Sequence, residues 1–194
     1  LDGTGEDRWL RDEALAVLAA GGLANDAVLR LVDGEWTVQG DPTDGAFLVA
    51  EAKLGLTDQI GVRFARIAEA PFTSERKLMS SLETDAQHAG RLVIFTKGAP
   101  GVLLGRCIAE RVAGETRALS EARRAAVHTE IEWLANLALR PLAVAYREIP
   151  QLEPSLDSGE PAATVESFEH GLTYLGVVGL VDPPREEARA AIDE

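Results

Sequence analysis

Two short apolar strands joined by a polar connection constrain this chain more than any other feature. Leu78 to Leu82 and Leu92 to Phe95 are separated by Glu83 to Gly90, a polar segment ending in glycine. That pattern predicts an antiparallel pair. Side chains alternate along a strand, so Leu78, Ser80 and Leu82 share one face and Met79 and Ser81 the other. Leu92, Val93, Ile94 and Phe95 are apolar without interruption, which suits a sheet interior. Antiparallel pairing places the start of the first strand beside the end of the second. Lys77 and Lys97 stand at those two ends, and Phe72 precedes Lys77. A flat ring beside two ammonium groups can hold a flat base with an anionic tail, and stacking on an aromatic contributes about 1–3 kcal/mol per base. On the residues alone, the competing reading is a core phenylalanine and two solvated strand-end charges.

Charge narrows the partners. The 194 residues carry a formal net charge of −13, which argues against a nucleic-acid surface and against adhesion to an anionic membrane. Any bound anion needs a local basic pocket in an unfavourable long-range field. Lysine is scarce: only Lys53, Lys77 and Lys97 among nineteen basic residues. A compact ammonium enters a narrow slot that a planar guanidinium cannot. The hydrophobic content, 46%, is enough for one domain with a sizeable core. Cys107 is the single cysteine, so no internal disulfide forms, and it reads as a small apolar filler. His88, His128 and His170 lack metal-ligand spacing. No apolar run is long enough to span a bilayer, and no signal peptide is expected.

Along the chain, Arg8 to Ala20 reads as a helix ended by Gly21-Gly22, and Val28 to Val38 as a hairpin turning at Asp33-Gly34. Asp41-Pro42-Thr43-Asp44 opens a second helix. Arg66 to Ala70 is a strand leading to Phe72, and Val102 to Cys107 a short helix. Ile108 to Leu119 suggests a hairpin around Ala113-Gly114. Ser120 caps a helix that ends before Arg140-Pro141. Leu142 to Tyr146 and Leu172 to Val181 are strands. Residues 149–170, rich in proline, serine and acids, are expected to be a flexible surface loop. The fold class that follows is α+β, an antiparallel β-sheet flanked by helices.

Four ordered blocks resemble the nucleotide-binding domain of P-type cation-transporting ATPases, in particular the bacterial, calcium-pump-like members. They are Asp41-Pro-Thr-Asp44-Gly-Ala46, the stretch Phe72-x-x-x-Arg76-Lys77-x-Met79-Ser80 followed by Lys97-Gly98-Ala99-Pro100, Leu139-Arg140-Pro141-Leu142-Ala143, and Gly176-Val-Val-Gly-Leu-Val-Asp182-Pro-Pro-Arg185. The resemblance implies that Phe72 stacks on adenine, that Lys97 lies at the base of the adenosine pocket, and that Lys77 helps hold the nucleotide. It also implies that Gly98 and Ala99 admit the ligand close to the backbone, that Arg140 reaches the phosphate tail, and that Asp44 recognises the adenine end. Asp44 stands where the family has a glutamate, and Ser74 where some members have an arginine. Without the resemblance, Asp41 and Asp44 read as charges complementing a helix N-terminus, and Arg140 as a charge at a helix C-terminus.

The resemblance further implies ATP as ligand, with Mg²⁺ in the intact pump, and a division into a nucleotide-binding domain at 1–181 and a hinge entering a phosphorylation domain at 182–194. The family's phosphorylation motif Asp-Lys-Thr-Gly-Thr is absent from the sequence, as are its Thr-Gly-Asp and Gly-Asp-Gly motifs. The expectation is therefore a monomeric cytoplasmic module of a plasma-membrane pump that binds ATP without hydrolysing it. Its partners would be the phosphorylation and actuator domains of the same pump. The alternative is a non-catalytic acidic interaction module with a degenerate nucleotide pocket.

Overall fold

A seven-stranded sheet with helices on both faces organises the computed structural model, which describes residues 5–150 and 161–181. The chain begins with α1 (Gly5–Leu23), the hairpin β1 (Val28–Val32) and β2 (Glu35–Gln39), then α2 (Pro42–Leu54) and α3 (Thr57–Arg63). Next come β3 (Phe64–Ala70), β4 (Leu78–Asp85), a single 3₁₀ turn at Ala86–His88, β5 (Arg91–Gly98) and α4 (Pro100–Arg106). The remainder is β6 (Cys107–Val112), β7 (Glu115–Ala118), α5 (Glu121–Asn136), β8 (Arg140–Ile149), α6 (Pro161–Ser167) and β9 (Leu172–Leu180). The large sheet runs β3-β4-β5-β8-β9-β6-β7. Its neighbours are antiparallel except β6 and β9, a parallel pair that the hairpin pattern alone does not predict. The α+β expectation otherwise holds.

Local chemistry explains most boundaries. Asp41 caps α2 by accepting from the Thr43 N–H at 2.7 Å, and Pro42 fills the first helical position. Gly55 closes that helix in the left-handed conformation. Ser120 caps α5 through the Arg123 N–H. Both hairpins turn on two left-handed residues, Asp33-Gly34 and Ala113-Gly114, which matches the twist of the flanking strands.

Packing is two-sided. On one face Leu78, Leu82, Ile94 and Leu172 meet Leu103 and Leu104 of α4, Val127 of α5 and Val165 of α6. On the other, Val93, Phe95, Val144 and Leu175 meet Val17, Ala20 and Leu23 of α1 and Phe47 of α2. Double coverage is why Leu92 to Phe95 of β5 are apolar without interruption, and why β4 buries Ser80 and Ser81 as fully as its leucines. The expected alternation of β4 is present, with Leu78 and Leu82 in the first cluster and Met79 opposite Lys97 on the second face.

Two expectations need correction. Gly21-Gly22 does not end α1, which continues to Leu23. A Cβ on Gly21 would lie 2.1 Å from the Phe47 ring, and one on Gly22 only 1.8 Å from Glu51 Oε1. The glycines let α1 and α2 approach closely. The segment before β3 also contains α3, a helix of seven residues for which the sequence analysis offers no expectation. The loop expected at 149–170 is structured over much of its length: Ile149 closes β8, 161–167 form α6, and Phe168 and Glu169 are buried. Composition pointed to a loop, but Val165 and Phe168, three residues apart, anchor the segment to the core. Residues 151–160 of that segment and the Asp182-Pro-Pro-Arg185 hinge lie outside the described residues.

Candidate nucleotide site

Where β4 begins and β5 ends, the sheet opens a small cavity of about 100 Å³. Five of the seven residues singled out from the sequence line it: Asp44, Phe72, Lys97, Gly98 and Arg140. Asp41, Thr43, Met79 and Leu142 complete the wall. They converge because β4 and β5 pair Met79 with Lys97, because Arg140 starts β8 beside β5, and because α2 points its first turn at that edge. Phe72 is 55% exposed, so its ring stands at the mouth rather than in the core.

Lys97 forms the floor. It is 4% exposed, and its Nζ donates to Asp44 Oδ1 at 2.7 Å and to the Gly21 carbonyl at 3.3 Å. The ammonium also lies 5.2 Å from the centroid of the Phe47 ring. Burial lowers its pKa, while Asp44 and the more distant Asp26 and Asp41 pull the other way. The Gly21 carbonyl belongs to the last turn of α1, where a cation is favoured. Asp44 is thus committed to Lys97, and its backbone carbonyl accepts from Asn25 Nδ2 at 2.7 Å. Asp41 is held below the ordinary carboxylate range by its bonding to Thr43, and Arg140 across the cavity adds to this.

Lys77 and Ala99 stand outside the lining and act through the backbone. Lys77 is exposed, with φ of 58°, and its carbonyl accepts from the Ala99 N–H at 3.0 Å. A Cβ on Gly98 would fall 2.2 Å from that same carbonyl, so glycine is required for the two strand ends to meet. The turn carrying Phe72 is tied down from the other face of the sheet. Arg76 donates to the Leu78 carbonyl at 2.8 Å and pairs with Glu169, whose Oε1 also accepts from Ser80 at 2.7 Å. Glu169 and its role as an anchor had no sequence signal, because its partners Ser80 and Arg76 lie far away in the sequence, Ser80 by 89 residues. Phe47, Gly21 and Gly22 were likewise missed as parts of the site. The signal that could have found them is the glycine pair inside an otherwise helical pattern.

A larger cavity, about 490 Å³, lies between α1 and the opposite ends of β5 and β8. Its charged groups already satisfy one another. Arg63 grips Asp85 with two hydrogen bonds of 3.0 and 2.7 Å, and His88 Nδ1 lies 2.7 Å from the same carboxylate. Arg111 pairs with Glu13, and Glu148 with Arg91. The smaller cavity, with its exposed ring beside a buried cation, is the candidate site.

A mixed sheet with helices on both faces thus carries a phenylalanine at the mouth of a lysine-floored slot. The family model for the P-type ATPase cytoplasmic domain N matches residues 13–187, and the chain belongs to that family. It is 38% identical over 179 residues to a calcium-transporting ATPase of Bacillus subtilis (strain 168), which covers 92% of this chain and 19% of that protein. It is 33% identical over 176 residues to the cation-transporting ATPase pma1 of Synechocystis, covering 90% of this chain and 18% of that protein. A probable cation-transporting ATPase F of Mycobacterium bovis is 33% identical over 181 residues, with the same coverage. The chain therefore spans less than a fifth of the length of these relatives.

Proposed function

We propose that this chain binds ATP and presents its γ-phosphate to an aspartate in a phosphorylation domain outside the chain, as part of a cation-transporting pump of the plasma membrane. The observation that carries the reading is the half-exposed Phe72 ring set over a base-sized slot whose floor is the buried Lys97. Lys97 and Phe72 would hold the base, and Arg140 at the rim would meet the phosphate tail. Ligand cavities commonly enclose about 300–1,000 Å³. A slot of about 100 Å³ takes the ring and leaves ribose and phosphates outside, toward Arg140. Bound Mg²⁺ would offset phosphate charge during transfer, with the phosphorylation domain supplying the acceptor. Catalysis in such a pump is positioning plus charge stabilisation, to which this module contributes the positioning. On this reading residues 1–181 are the nucleotide-binding domain and 182–194 lead into the next, and the module is a monomer whose partners are the phosphorylation and actuator domains of the same pump.

An acidic interaction module with a degenerate pocket is the competing reading, and one observation favours it. Asp44 and Lys97 satisfy each other across the floor of the slot. Titrating ATP while following backbone amide NMR signals separates the two. Shifts centred on Phe72, Lys77 and Lys97, with a dissociation constant near millimolar, or about −4 kcal/mol, support the binding reading. No shifts at millimolar ATP support the other.

A further inference from the structure

Behind the floor of the slot lies a carboxyl group that the reading above does not use. Glu51 sits two helical turns after Asp44 on α2, at a spacing that places both on one face of the helix. It is 4% exposed, and its Oε1 is buried with no hydrogen-bond partner. α1 is packed directly on it: the missing side chain of Gly22 leaves room for the carboxyl group, and a Cβ there would collide with Oε1. The charge that acts on Glu51 is Lys97, which is already paired with Asp44. If Glu51 were ionised, two carboxylates would share one ammonium in a buried site. If it is protonated, the cluster is neutral.

We propose that Glu51 is a positioning residue of the nucleotide site, a buried carboxyl group that takes up a proton from solvent when nucleotide binds and thereby sets how Lys97 is shared between Asp44 and the ligand. The proposal rests on the nucleotide-binding reading. A polyanion arriving at the mouth raises the cost of a second negative charge behind Lys97, so binding favours neutral Glu51. With Glu51 neutral, one negative charge fewer acts on Lys97, which is the freer to engage the ligand.

The groups around Glu51 support a switch near neutrality. α1 contributes Gly22 and backbone, β5 contributes Lys97, and α2 itself contributes Asp44. The connection after α1 contributes Asp26, which acts on Lys97 and lies 3.7 Å from Arg66. Leu56, just before α3, donates its N–H to the Glu51 backbone carbonyl; in α3, Asp58 is exposed and Arg63 is committed to Asp85. The hairpin β1–β2 meets α2 at Gly45, where a Cβ would touch Val38; its charged residues Arg30, Asp33 and Glu35 are exposed. Burial raises the Glu51 pKa to about 7, with Lys97 opposing the rise.

The test is the pH dependence of ATP binding, measured by amide NMR between about pH 6 and pH 8 for the wild type and for Glu51→Gln. The expected result is an affinity that falls about threefold or more across that range in the wild type and stays level in the variant. Titration of the γ-phosphate itself is common to both proteins and cancels in the comparison. A second measurement needs no variant: the ¹³C shift of the Glu51 carboxyl group, followed against pH, should have its midpoint near neutrality and move upward when ATP is added. Equal pH slopes in the two proteins, or a Glu51 midpoint in the ordinary carboxylate range while ATP still binds, overturns this proposal alone. Absence of ATP shifts at every pH overturns the nucleotide reading and this proposal with it.

Discussion

Phe72 and Lys97 illustrate how one side chain's surroundings change its meaning. The ring of Phe72 is 55% exposed, so little apolar surface is lost on its removal. Phe72→Ala should abolish the ATP-induced shifts while lowering stability by well under the roughly 3–5 kcal/mol of a buried phenylalanine. Thermal unfolding alongside the ATP titration checks both halves, and an unfolded variant would return Phe72 to the core. Burial lowers the Lys97 pKa, and three aspartates oppose the shift. A flat aromatic amine-reactive reagent that stacks on Phe72 should therefore label Lys97 ahead of Lys53, and ATP should slow the reaction. Asp44→Asn, which removes the paired carboxylate, should speed labelling further. Peptide mapping reads the result directly, since the chain has only three lysines.

At the scale of elements, the contact between α1 and α2 decides whether the slot has a floor. Helix propensity alone favours alanine over glycine by about 1 kcal/mol in a helix interior. Contact geometry says the reverse for α1, because the added methyl at Gly21 meets the Phe47 ring and at Gly22 the Glu51 carboxyl group. Overpacking of this kind costs about 1–3 kcal/mol, so sterics win. Gly21→Ala and Gly22→Ala should each lower the midpoint of urea unfolding. Each should also weaken ATP binding, because pushing α1 away moves the Gly21 carbonyl from Lys97. Gain of stability in either variant would mean that the two helices can separate without loss.

Across the whole molecule, two buried carboxyl groups set opposite pH limits on stability. Asp85 is gripped by Arg63, with His88 and the Gln87 N–H adding to this, and these bonds depress its pKa. A depressed carboxylate contributes stability above its ordinary pKa of about 3.9 and loses it as pH falls further. Asp85→Asn should cost about 1.5–3 kcal/mol at neutral pH and flatten the acid limb of the stability curve. Glu51 works in the other direction. Its pKa is raised from 4.5 to about 7, so the native state binds the extra proton and stability declines as pH rises through that interval. The decline attributable to Glu51 is about 3 kcal/mol, and Glu51→Gln should remove it. Urea unfolding at several pH values between about 3 and 8 would show both limbs.

Much of the fold could be read from the chain because its causes are local. Asp41-Pro42 and Ser120 cap their helices, Asp33-Gly34 and Ala113-Gly114 turn their hairpins, and the run from Leu92 to Phe95 is a central strand. Each of these depends on neighbours within a few residues. Five of the seven expected site residues line one cavity, because the pairing of β4, β5 and β8 brings their motifs together. Other features required tertiary structure. Nothing near Gly21-Gly22 in sequence shows that a second helix will press against it. Nothing near Glu169 shows that Ser80, Arg76 and Arg106 will surround it and order a segment whose composition suggests a loop. Asp44 reads as a helix-end charge until β5 carries Lys97 to within 2.7 Å of it. Glu51 reads as a surface acid until α1 covers it. Burial and pairing are properties of distant segments brought together, and a residue's charge state follows from them rather than from its sequence neighbours.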